Sequence, residues 1–544
     1  MSDSTPSWSR HAVIYQIYMR SFADSDGDGL GDLRGIADRL DHLVDLGVDA
    51  VWLTPFYPSP MADGGYDIAD HRGVDPRFGT LADFDALLAA AHARGLRVII
   101  DVVPNHVSSE HPWFVAARSA EPGSAERDRF HLRKGGQEPP NDWQSVFHGP
   151  AWTRLADGEW YLHLFAPEQP DLNWDHPEVR AEFADILRFW LDRGVDGIRI
   201  DVAHGLVKAP GLPDVRSSAL LDGAPTPFFD QDGVHEIYRA WRSILDGYTP
   251  ERIAVAEAWV EGPGRAARYV RPDELHQAFN FHFLGTPWSA PAYRRIIDES
   301  LSAMGTVGAP ATWVLSNHDV VRHASRLAAG RGGTAGGASA DDGAAAADRS
   351  LGLSRARAAA LLVLALPGSV YLYQGEELGL PEVFDLPAHV RQDPIFGRTN
   401  GAELGRDGCR VPLPWSGTSA PYGFGPPGSQ PWLPQPAEWA ALSVAAQHDD
   451  PHSTLELYRA ALRLRRDCPQ LGDGELRWRS DPDDAVLVFE RPGDRSVVCV
   501  ANLGQHAVAA PEGELLVAST PLVDGVLPPD AAGWWLRPAD VGQE

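Results

Sequence analysis

Short apolar, β-branched runs alternate with amphipathic segments along most of the chain. The runs that predict strands are residues 12–18, 50–55, 97–104, 197–202, 252–258, 277–283, 312–316 and 369–374. Apolar residues recur with helical spacing between them, most clearly over residues 33–46, 81–94, 177–193 and 234–245. Strands that are apolar on both faces and alternate with helices predict an α/β fold, a parallel (β/α)8 TIM barrel. A doubly wound sheet is the alternative, but no glycine-rich dinucleotide fingerprint follows the first strand.

Two stretches interrupt this alternation. From Asn105 to Asn173 the sequence is rich in Trp, Pro, Gly and charged residues and loses its periodicity, which predicts an inserted domain after strand 3, over residues 105–174. Residues 376–436, after the eighth strand, are similarly dense in Gly, Pro and Trp. Both stretches would emerge at the C-terminal ends of the strands, where barrel enzymes carry their active sites.

The last part of the chain has a different pattern. A helical segment over residues 453–467 precedes alternating apolar and polar residues, as in 485–490 and 496–501. This predicts a C-terminal antiparallel β domain over residues 469–544, with the barrel formed by residues 1–104 and 175–468. Residues 330–347 are nearly all Gly, Ala, Ser and Asp, which predicts a mobile loop.

The charge balance narrows the class of partner. Among 544 residues, 75 acidic against 47 basic side chains give a formal net charge of −28. Such a surface repels phosphate backbones and anionic lipid headgroups, so we expect no nucleic acid and no membrane partner. It suits a small neutral substrate such as a sugar, and it leaves the oligomeric state open.

Targeting and redox signals are sparse. Cys409, Cys468 and Cys499 give no disulfide framework and are typical of a reducing compartment. Residues 1–10 lack the pattern of a signal peptide, and no apolar run approaches the roughly 20 residues that span a bilayer. We therefore expect a cytoplasmic protein.

Three carboxylates follow candidate strands: Asp201, Glu257 and Asp319. A strand end would project each of them into the barrel mouth. Arg199 lies two residues before Asp201, hence on the same strand face, where it can keep Asp201 ionised and oriented. Each acid alone would be a solvated or helix-capping residue, and an ion pair at the barrel rim is the structural alternative, but the set together indicates catalysis.

A retaining glycosidase needs such a set. One carboxylate attacks the anomeric carbon, while a second, about 5–5.5 Å away, protonates the leaving oxygen and later activates water. A neighbouring carboxylate and partial burial let the acid hold its proton near neutral pH. A third acid can bind sugar hydroxyls and favour a distorted, oxocarbenium-like ring.

These segments resemble the α-amylase family of glycoside hydrolases, in its α-glucosidase and oligo-1,6-glucosidase branch, over nearly the whole chain. Residues 101–106, Asp-Val-Val-Pro-Asn-His, resemble the family's segment on the third strand, and residues 197–201 resemble its nucleophile strand. Glu257 stands at the family's acid/base position, and residues 317–319, Asn-His-Asp, resemble its stabiliser segment.

The resemblance assigns roles to single residues. It implies that Asp201 is the nucleophile, Glu257 the acid/base catalyst and Asp319 the stabiliser. It also implies that His106 and His318 hydrogen-bond the sugar at the cleavage point. A lone histidine on a strand is more often a core residue, and the motif context favours the binding role here.

Finer features point to the α-glucosidase branch. Residues 169–173, Gln-Pro-Asp-Leu-Asn, are similar to a segment typical of oligo-1,6-glucosidases and their relatives. In that branch an aspartate before a Gly-Tyr-Asp step pairs with an arginine in an Arg-x-Pro segment and closes the pocket over the non-reducing glucose. The matching residues are Asp63 and Arg410, with Tyr66 stacked on the glucose face. A closed pocket implies exo action on short substrates, whereas a plain salt bridge between loops is the alternative.

An acidic loop follows the first strand. Asp24, Asp26, Asp28 and Asp32 place oxygen donors at alternate positions, which suits a hard cation such as Ca2+, but the loop lacks the Glu that ends an EF-hand. The loop resembles a Ca2+ site of this branch in which the residue at Leu30 donates its backbone carbonyl. We expect a structural Ca2+ ion and no organic cofactor, with a solvated acidic turn as the alternative.

The features that bear on linkage conflict. Val202 after the nucleophile accompanies α-1,6 preference in the oligo-1,6-glucosidase branch, but residues 203–206, Ala-His-Gly-Leu, resemble actinobacterial α-glucosidases that cut α-1,4 bonds. We predict a retaining, exo-acting α-glucosidase that releases α-glucose from maltose and short α-1,4-linked oligosaccharides. The alternatives are an oligo-1,6-glucosidase, a transglucosylase, or a trehalose- or sucrose-acting enzyme of the same family.

Two interpretations that place the chain in other functional classes have less support from the sequence. A catalytically silent binding protein would lack the three carboxylates that this chain keeps. An aldolase-like or metal-dependent barrel enzyme would need a Schiff-base lysine or a histidine cluster at the strand ends. Lys208 is the lysine nearest to these ends, and the histidines lack metal-ligand spacing.

Overall fold

Eight parallel strands form the central sheet of the computed structural model, which describes residues 7–215, 226–329, 338–339, 348–479 and 483–538. The strands are Val13–Ile17, Ala50–Leu53, Arg97–Val102, Gly197–Ile200, Ile253–Ala256, Gln277–Ala278, Thr312–Val314 and Ser369–Tyr373. The first strand pairs with both the second and the eighth, and the eighth pairs with the seventh. Beyond the sixth strand, Asn280 donates its backbone N–H to the Thr312 carbonyl at 2.9 Å. The predicted (β/α)8 barrel is confirmed.

The sixth strand is shorter than its apolar run predicts. The strand ends at Ala278, and a helical turn, Phe281–Leu284, occupies the rest of the run. The Asn280 side chain caps this turn by accepting a hydrogen bond from the Phe283 N–H at 2.9 Å. The expected strand over residues 277–283 is therefore wrong beyond Ala278, because a side-chain cap competes with the sheet for the backbone.

Helices alternate with the strands and follow the eighth strand, and the longer ones bury apolar side chains, as Pro177–Asp192 and Val234–Leu245 do. The helices are Leu33–Asp38, Leu40–Leu46, Leu81–Ala93, Pro177–Asp192, Val234–Leu245, Gly262–Arg268, Ala290–Val307, His323–Arg326, Arg349–Ala365, Val444–Gln447 and Thr454–Asp467. Thr80 and Asp83 form a capping box at the start of Leu81–Ala93. The segment predicted as one helix over residues 33–46 is divided at Arg39, which leaves helical geometry.

A small antiparallel sheet lies between the third and fourth barrel strands. Glu159–Leu162 is its central strand, flanked by Leu132–Lys134 and Trp152–Arg154. The helices Pro112–Ser119 and Ala125–Asp128 precede the sheet.

A buried ion pair ties this region to the barrel. Lys208 Nζ, beyond the fourth strand, lies 2.8 Å from Asp171 Oδ2 and donates to Asn105 Oδ1 at 2.9 Å. Since all three residues are buried, the pair holds the inserted region against the loop that follows Asp201.

The last sheet is antiparallel, as predicted. Its strands follow the order Arg477–Trp478, Val486–Arg491, Arg495–Asn502, Ala531–Pro538 and Glu514–Ala518, and a two-stranded ribbon joins Val508–Ala509 to Val526–Leu527. The Trp534 indole donates to the carbonyl of Leu361 in the helix Arg349–Ala365 at 3.0 Å, which fastens this sheet to the barrel. The residue boundaries of the three units stay predictions.

The segment predicted to be mobile, residues 330–347, lies outside the described residues except for Ala338–Ser339, which pair with the strand Glu403–Gly405. Pro394–Arg398 is a short helix in the neighbouring stretch after the eighth strand. Among the described helices, none combines the length and the apolar character that crossing a bilayer requires.

Candidate active site

The three predicted carboxylates meet at one cavity of about 200 Å3. Asp201 directly follows the fourth strand and Glu257 directly follows the fifth, and each backbone N–H still bonds the neighbouring strand, to Val102 at 2.9 Å and to Ile200 at 3.0 Å. Asp319 lies on the turn after the seventh strand. The barrel therefore holds two carboxyl groups on rigid strand ends, with the third across the cavity.

Arg199 lies beneath these carboxylates. Its Nη1 is 2.5 Å from Asp201 Oδ1 and 2.8 Å from Asp101 Oδ1, and its Nη2 is 3.8 Å from Glu257 Oε2. The guanidinium is 1% exposed and lies over the Trp52 ring, 5.0 Å from its centroid. One buried cation thus fixes the relative positions of Asp201 and Glu257, as expected from its place on the same strand face.

One cation among three carboxylates leaves excess negative charge, so one acid favours its protonated form. Burial raises the pKa of Asp201, which Arg199 opposes, and the nearby Glu257 raises it further. Burial likewise raises the pKa of Glu257 against Arg199, with Asp319 as a further negative neighbour. Because Arg199 is much closer to Asp201 than to Glu257, its positive charge favours the ionised form of Asp201 more than that of Glu257.

Asp319 has the opposite electrostatic environment. Its Oδ1 lies 2.9 Å from Arg410 Nη2 and 3.1 Å from Arg406 Nη1. Burial raises the pKa of this carboxyl, but its interactions with neighbouring His318 and with the positive charges of Arg406 and Arg410 outweigh burial and hold the pKa below its usual value. Asp319 is therefore a fixed negative charge facing the other two acids.

The predicted pairing of Asp63 with Arg410 is wrong. Asp63 Oδ1 lies 2.6 Å from Arg406 Nη2, whereas Arg410 donates to the His318 carbonyl and to Asp319. The three residues of the 3-10 turn Asp407–Cys409 lie between the two arginines, and both guanidinium groups reach Asp319. Asp393 fixes Arg406 there through a 2.5 Å contact with its Nε.

His106 lines the cavity and belongs to a polar network of the inserted region. Its Nε2 is 3.0 Å from Gln169 Nε2, and Gln169 Nε2 also donates to Asp63 Oδ2 at 3.1 Å. On the other side of the ring, Nδ1 is 3.1 Å from Asn105 Nδ2. Burial lowers the pKa of His106 to about 4, so the ring is neutral at pH 7. Gln169, from the segment that indicated the branch, thus connects two of the predicted binding residues.

His318 and Tyr66 pack against each other at the base of the site. Their rings stack with centroids 5.2 Å apart and planes 10° from parallel, and Tyr66 donates its hydroxyl to Asp101 Oδ2 at 3.0 Å. His318 Nδ1 is 2.6 Å from Gln16 Nε2, but within the described part of the chain its buried Nε2 has no hydrogen-bond partner. Tyr66 also lines the cavity, where 5% of the residue is exposed, and the Arg199 guanidinium lies 5.8 Å from its ring centroid.

Several contributors to the site were not predicted from the sequence, among them Arg406, Asp101, Trp259 and Phe229. The sequence carried signals for the first two of these. Arg406 lies one helical turn before Arg410, and Asp101 is an acid near the end of the third strand. Trp259 and Phe229 follow from the loop conformation, for which the sequence carries no local signal.

Apart from His204, the remaining residues of the cavity wall are aromatic or aliphatic. Val146, Phe147 and Phe165 come from the inserted region, and Val202, Phe229 and Trp259 from the barrel loops. Aromatic and polar residues are interleaved around the wall, since the Phe147 ring lies 4.9 Å from the Arg406 guanidinium and the Phe165 ring lies 5.1 Å from that of His106.

The acidic loop partly assembles. The carboxylates of Asp24, Asp26 and Asp28 come within 4.8 Å of one another, and carboxylate oxygens are the ligands that a hard cation prefers. Asp32 is engaged differently, since its carboxylate accepts from the N–H groups of Ser25 and Gly35 and caps the helix that follows. Leu30 lies in the same loop, where its N–H donates to Asp28.

Comparison with known proteins agrees with this geometry. Residues 16–474 match the family model described as alpha amylase, catalytic domain. A probable alpha-glucosidase of Rhizobium meliloti is 38% identical, covering 92% of this chain and 90% of its own length. An oligo-1,6-glucosidase of Parageobacillus thermoglucosidasius is 34% identical, covering 92% and 91%.

Solved structures align over a similar extent. An alpha-glucosyl transfer enzyme, 36% identical, superposes with a TM-score of 0.83 over 98% of this chain and all of its own. An isomaltulose synthase from Klebsiella, 29% identical, superposes with a TM-score of 0.86 over 98% of this chain and all of its own.

Proposed function

Because the chain belongs to the α-amylase family of glycoside hydrolases, we propose that it is a retaining, exo-acting α-glucosidase. It releases α-glucose from the non-reducing end of short α-1,4-linked oligosaccharides such as maltose. The observation that carries this proposal is the guanidinium of Arg199, which contacts Asp201 and Glu257 together. It supports a carboxyl pair as close as a retaining mechanism needs, about 5–5.5 Å.

The reaction proceeds by double displacement. Asp201, ionised beside Arg199, attacks the anomeric carbon while Glu257 gives its proton to the leaving oxygen, and the bond to the leaving group breaks. A glucosyl ester on Asp201 results. Glu257, now ionised, takes a proton from water, which attacks the anomeric carbon and releases α-glucose with Asp201 restored.

Groups at the charged end of the cavity bind the glucose unit. Asp63, Arg406 and Asp319 form one connected ion-pair network there and offer both acceptors and donors to sugar hydroxyls. Neutral His106 and the unpartnered Nε2 of His318 supply further hydrogen bonds. A network that closes this end leaves room for one terminal sugar, which supports exo action.

A transglucosylase of the same family is the second candidate, favoured by the aromatic side chains in the cavity wall, which are Phe147, Phe165, Phe229 and Trp259. Transfer differs from hydrolysis only in whether a sugar hydroxyl or water intercepts the glucosyl ester. Apolar rings around that ester favour a bound acceptor over free water.

Glucose release from maltose and isomaltose, measured side by side with the product anomers followed by NMR, tests the proposal. Faster α-glucose formation from maltose supports the α-1,4-glucosidase. Faster release of α-glucose from isomaltose assigns the chain to the oligo-1,6-glucosidases, despite the resemblance of residues 203–206 to enzymes that cut α-1,4 bonds. Oligosaccharide products in place of glucose establish the transferase.

Two further assignments are part of the proposal. A structural Ca2+ is held by Asp24, Asp26 and Asp28, with the Leu30 carbonyl as a fourth donor and Asp32 supporting the loop as a helix cap; it adds stability and takes no part in the reaction. The protein is in the cytoplasm, an assignment supported by the free thiols of Cys409, Cys468 and Cys499, which are typical of a reducing compartment. Cell fractionation tests this location.

A further inference from the structure

Arg398 connects the segment after the eighth strand to the inserted region. It is the last residue of the short helix Pro394–Arg398. Its Nε donates to the carbonyls of Phe147 and His148 at 2.8 and 2.9 Å, and its Nη2 also donates to the His148 carbonyl. One planar guanidinium thus holds two successive peptide groups, which its rigid set of donors allows and a single ammonium group does not.

The backbone that Arg398 holds is a tight turn over residues 145–149. The N–H of Ser145 donates to the Gly149 carbonyl at 2.8 Å, and the N–H of His148 donates to the Ser145 carbonyl at 2.9 Å. His148 has a φ of 68°, in the left-handed region. A residue with a side chain keeps this conformation only where its surroundings impose it. The hydrogen bonds from Arg398 to the His148 carbonyl are part of those surroundings.

Two further contacts join the same two segments. The Phe147 ring, 3% exposed, packs in one buried apolar cluster with Ile395 of the helix. On the outer side, His148 Nε2 lies 2.9 Å from Glu403 Oε1, but both of these side chains are exposed. Because an exposed ion pair contributes little stability, Arg398 and the apolar cluster provide most of the connection.

This connection holds one wall of the active-site cavity. Phe147 lines the cavity, and the Arg406 guanidinium lies 4.9 Å from its ring centroid. Arg406 in turn contacts Asp63 and Asp319. The Phe147 ring therefore lies against the ion-pair network that, in the proposed function, binds the terminal glucose.

The helix Pro394–Arg398 fixes Arg406 from its other end. Asp393 caps the helix by accepting from the Ile395 N–H at 2.8 Å, and its carboxylate lies 2.5 Å from Arg406 Nε. The start of the helix thus positions Arg406, and its last residue positions the turn that carries Phe147. A short rigid element sets the distance between the guanidinium and the ring, and such support holds a site in its productive geometry.

We infer that Arg398 is a positioning residue that keeps Phe147 beside the terminal-glucose site and so confines the enzyme to exo cleavage. Without its hydrogen bonds the turn relaxes, the ring moves away from Arg406, and this part of the cavity admits a longer sugar chain. The inference rests on the proposed glucosidase function. It assigns the exo specificity to a residue that does not itself line the cavity.

The variant Arg398→Met tests the inference, because it keeps an unbranched side chain and removes every donor. The substrates are maltotriose and maltotriose with a 4,6-O-ethylidene group on its non-reducing glucose, and chromatography resolves the products. Rejection of one extra group by a pocket is worth about 10- to 200-fold, so the ratio of kcat/KM for the blocked to the unblocked substrate should rise at least about tenfold in the variant. Ethylidene-maltose and glucose are the expected products of the blocked substrate.

Maltose kinetics give a second readout. The Michaelis constant KM for maltose should rise about three- to tenfold in Arg398→Met, the range that one aromatic contact is worth. The turnover number kcat should stay within about threefold of the wild type, because a contact made equally in the ground state and the transition state affects binding alone.

Arg391→Met is the matched control. Arg391 belongs to the same segment and likewise donates to three backbone carbonyls, but those of Phe384, Leu386 and Leu404 all lie within that segment. We expect this variant to keep the wild-type ratio of blocked to unblocked cleavage. Arg398→Lys keeps the charge with a compact head group, so its ratio should lie between those of the wild type and Arg398→Met. It also serves as the test if the methionine form does not fold.

A wild-type ratio in every folded Arg398 variant, or an equal rise in Arg391→Met, would overturn the inference. Failure of the proposed function gives a different result, since the wild-type enzyme would then release no α-glucose from maltose or from unblocked maltotriose.

Discussion

Val202 donates its backbone N–H to Glu257 Oε2 at 2.7 Å. The residue after Asp201, the proposed nucleophile, therefore holds the carboxyl group of Glu257, the proposed acid/base catalyst. Val202 does so in a left-handed conformation, with φ of 45°. A β-branched residue there costs about 1–3 kcal/mol, a strain that surrounding structure must maintain. The tight turn after Asp201 thus couples the carboxyl groups of Asp201 and Glu257 through the backbone as well as through Arg199.

The pH dependence of activity follows from the two raised pKa values. Activity needs Asp201 ionised and Glu257 protonated, so kcat/KM rises as Asp201 loses its proton and falls as pH increases through the raised pKa of Glu257. We expect a bell-shaped profile for maltose. The descending limb should vanish in Glu257→Gln assayed with α-glucosyl fluoride, and a limb that persists there contradicts the assignment of Glu257.

Removing either catalytic carboxyl should abolish turnover and keep the fold. For Glu257→Gln we expect a loss of about 10²–10⁴-fold on maltose, the contribution of general acid catalysis, and for Asp201→Asn a loss at least as large. Asp185→Asn, an exposed acid on the helix Pro177–Asp192, is the control and should retain full activity with the same melting temperature. Near-normal turnover by either catalytic variant would overturn the mechanism.

The contact between Asp63 and Arg406 should matter for binding of the terminal glucose. Asp63→Asn removes the negative charge that contacts Arg406 and puts an uncharged amide of similar size in its place. Hydrogen bonds to charged groups are worth about 1.5–3 kcal/mol, so KM for maltose and the inhibition constant for glucose should both rise roughly ten- to hundredfold. Steady-state kinetics with glucose as inhibitor checks this. An unchanged inhibition constant would show that this end of the cavity does not hold the sugar.

Chelation should affect stability more than activity. If Ca2+ binds at Asp24, Asp26 and Asp28, EDTA lowers the melting temperature, added Ca2+ restores it, and the rate at assay temperature changes little, because a ligand that binds the folded state stabilises it. The variant Asp26→Asn should melt at the same temperature with and without EDTA. If the wild type has the same melting temperature in EDTA and in Ca2+, the Ca2+ assignment is wrong.

The barrel and its carboxylates were predictable because two simple rules act together. Buried parallel strands appear in the sequence as apolar runs, and the residue after such a run faces the barrel mouth. These two rules identified Asp201 and Glu257. The length of the sixth strand was not predictable from the run alone, since the cap made by Asn280 ends it.

Partners across the site were harder to predict. Arg410 matched the motif, but Arg406 makes the contact with Asp63, because a 3-10 turn and the buried Asp393 decide which guanidinium points that way. Sequence spacing shows that two arginines share a segment; it does not show which of them reaches an acid that precedes Arg406 by 343 residues.

The central claim is that Asp201 carries the glucosyl group between the two displacements. The most direct measurement is incubation with 5-fluoro-α-glucosyl fluoride, which slows the second step, followed by peptide mapping with mass spectrometry. We predict a single covalent adduct on Asp201, absent from Asp201→Asn. An adduct on any other residue, or undiminished labelling of Asp201→Asn, would contradict the account.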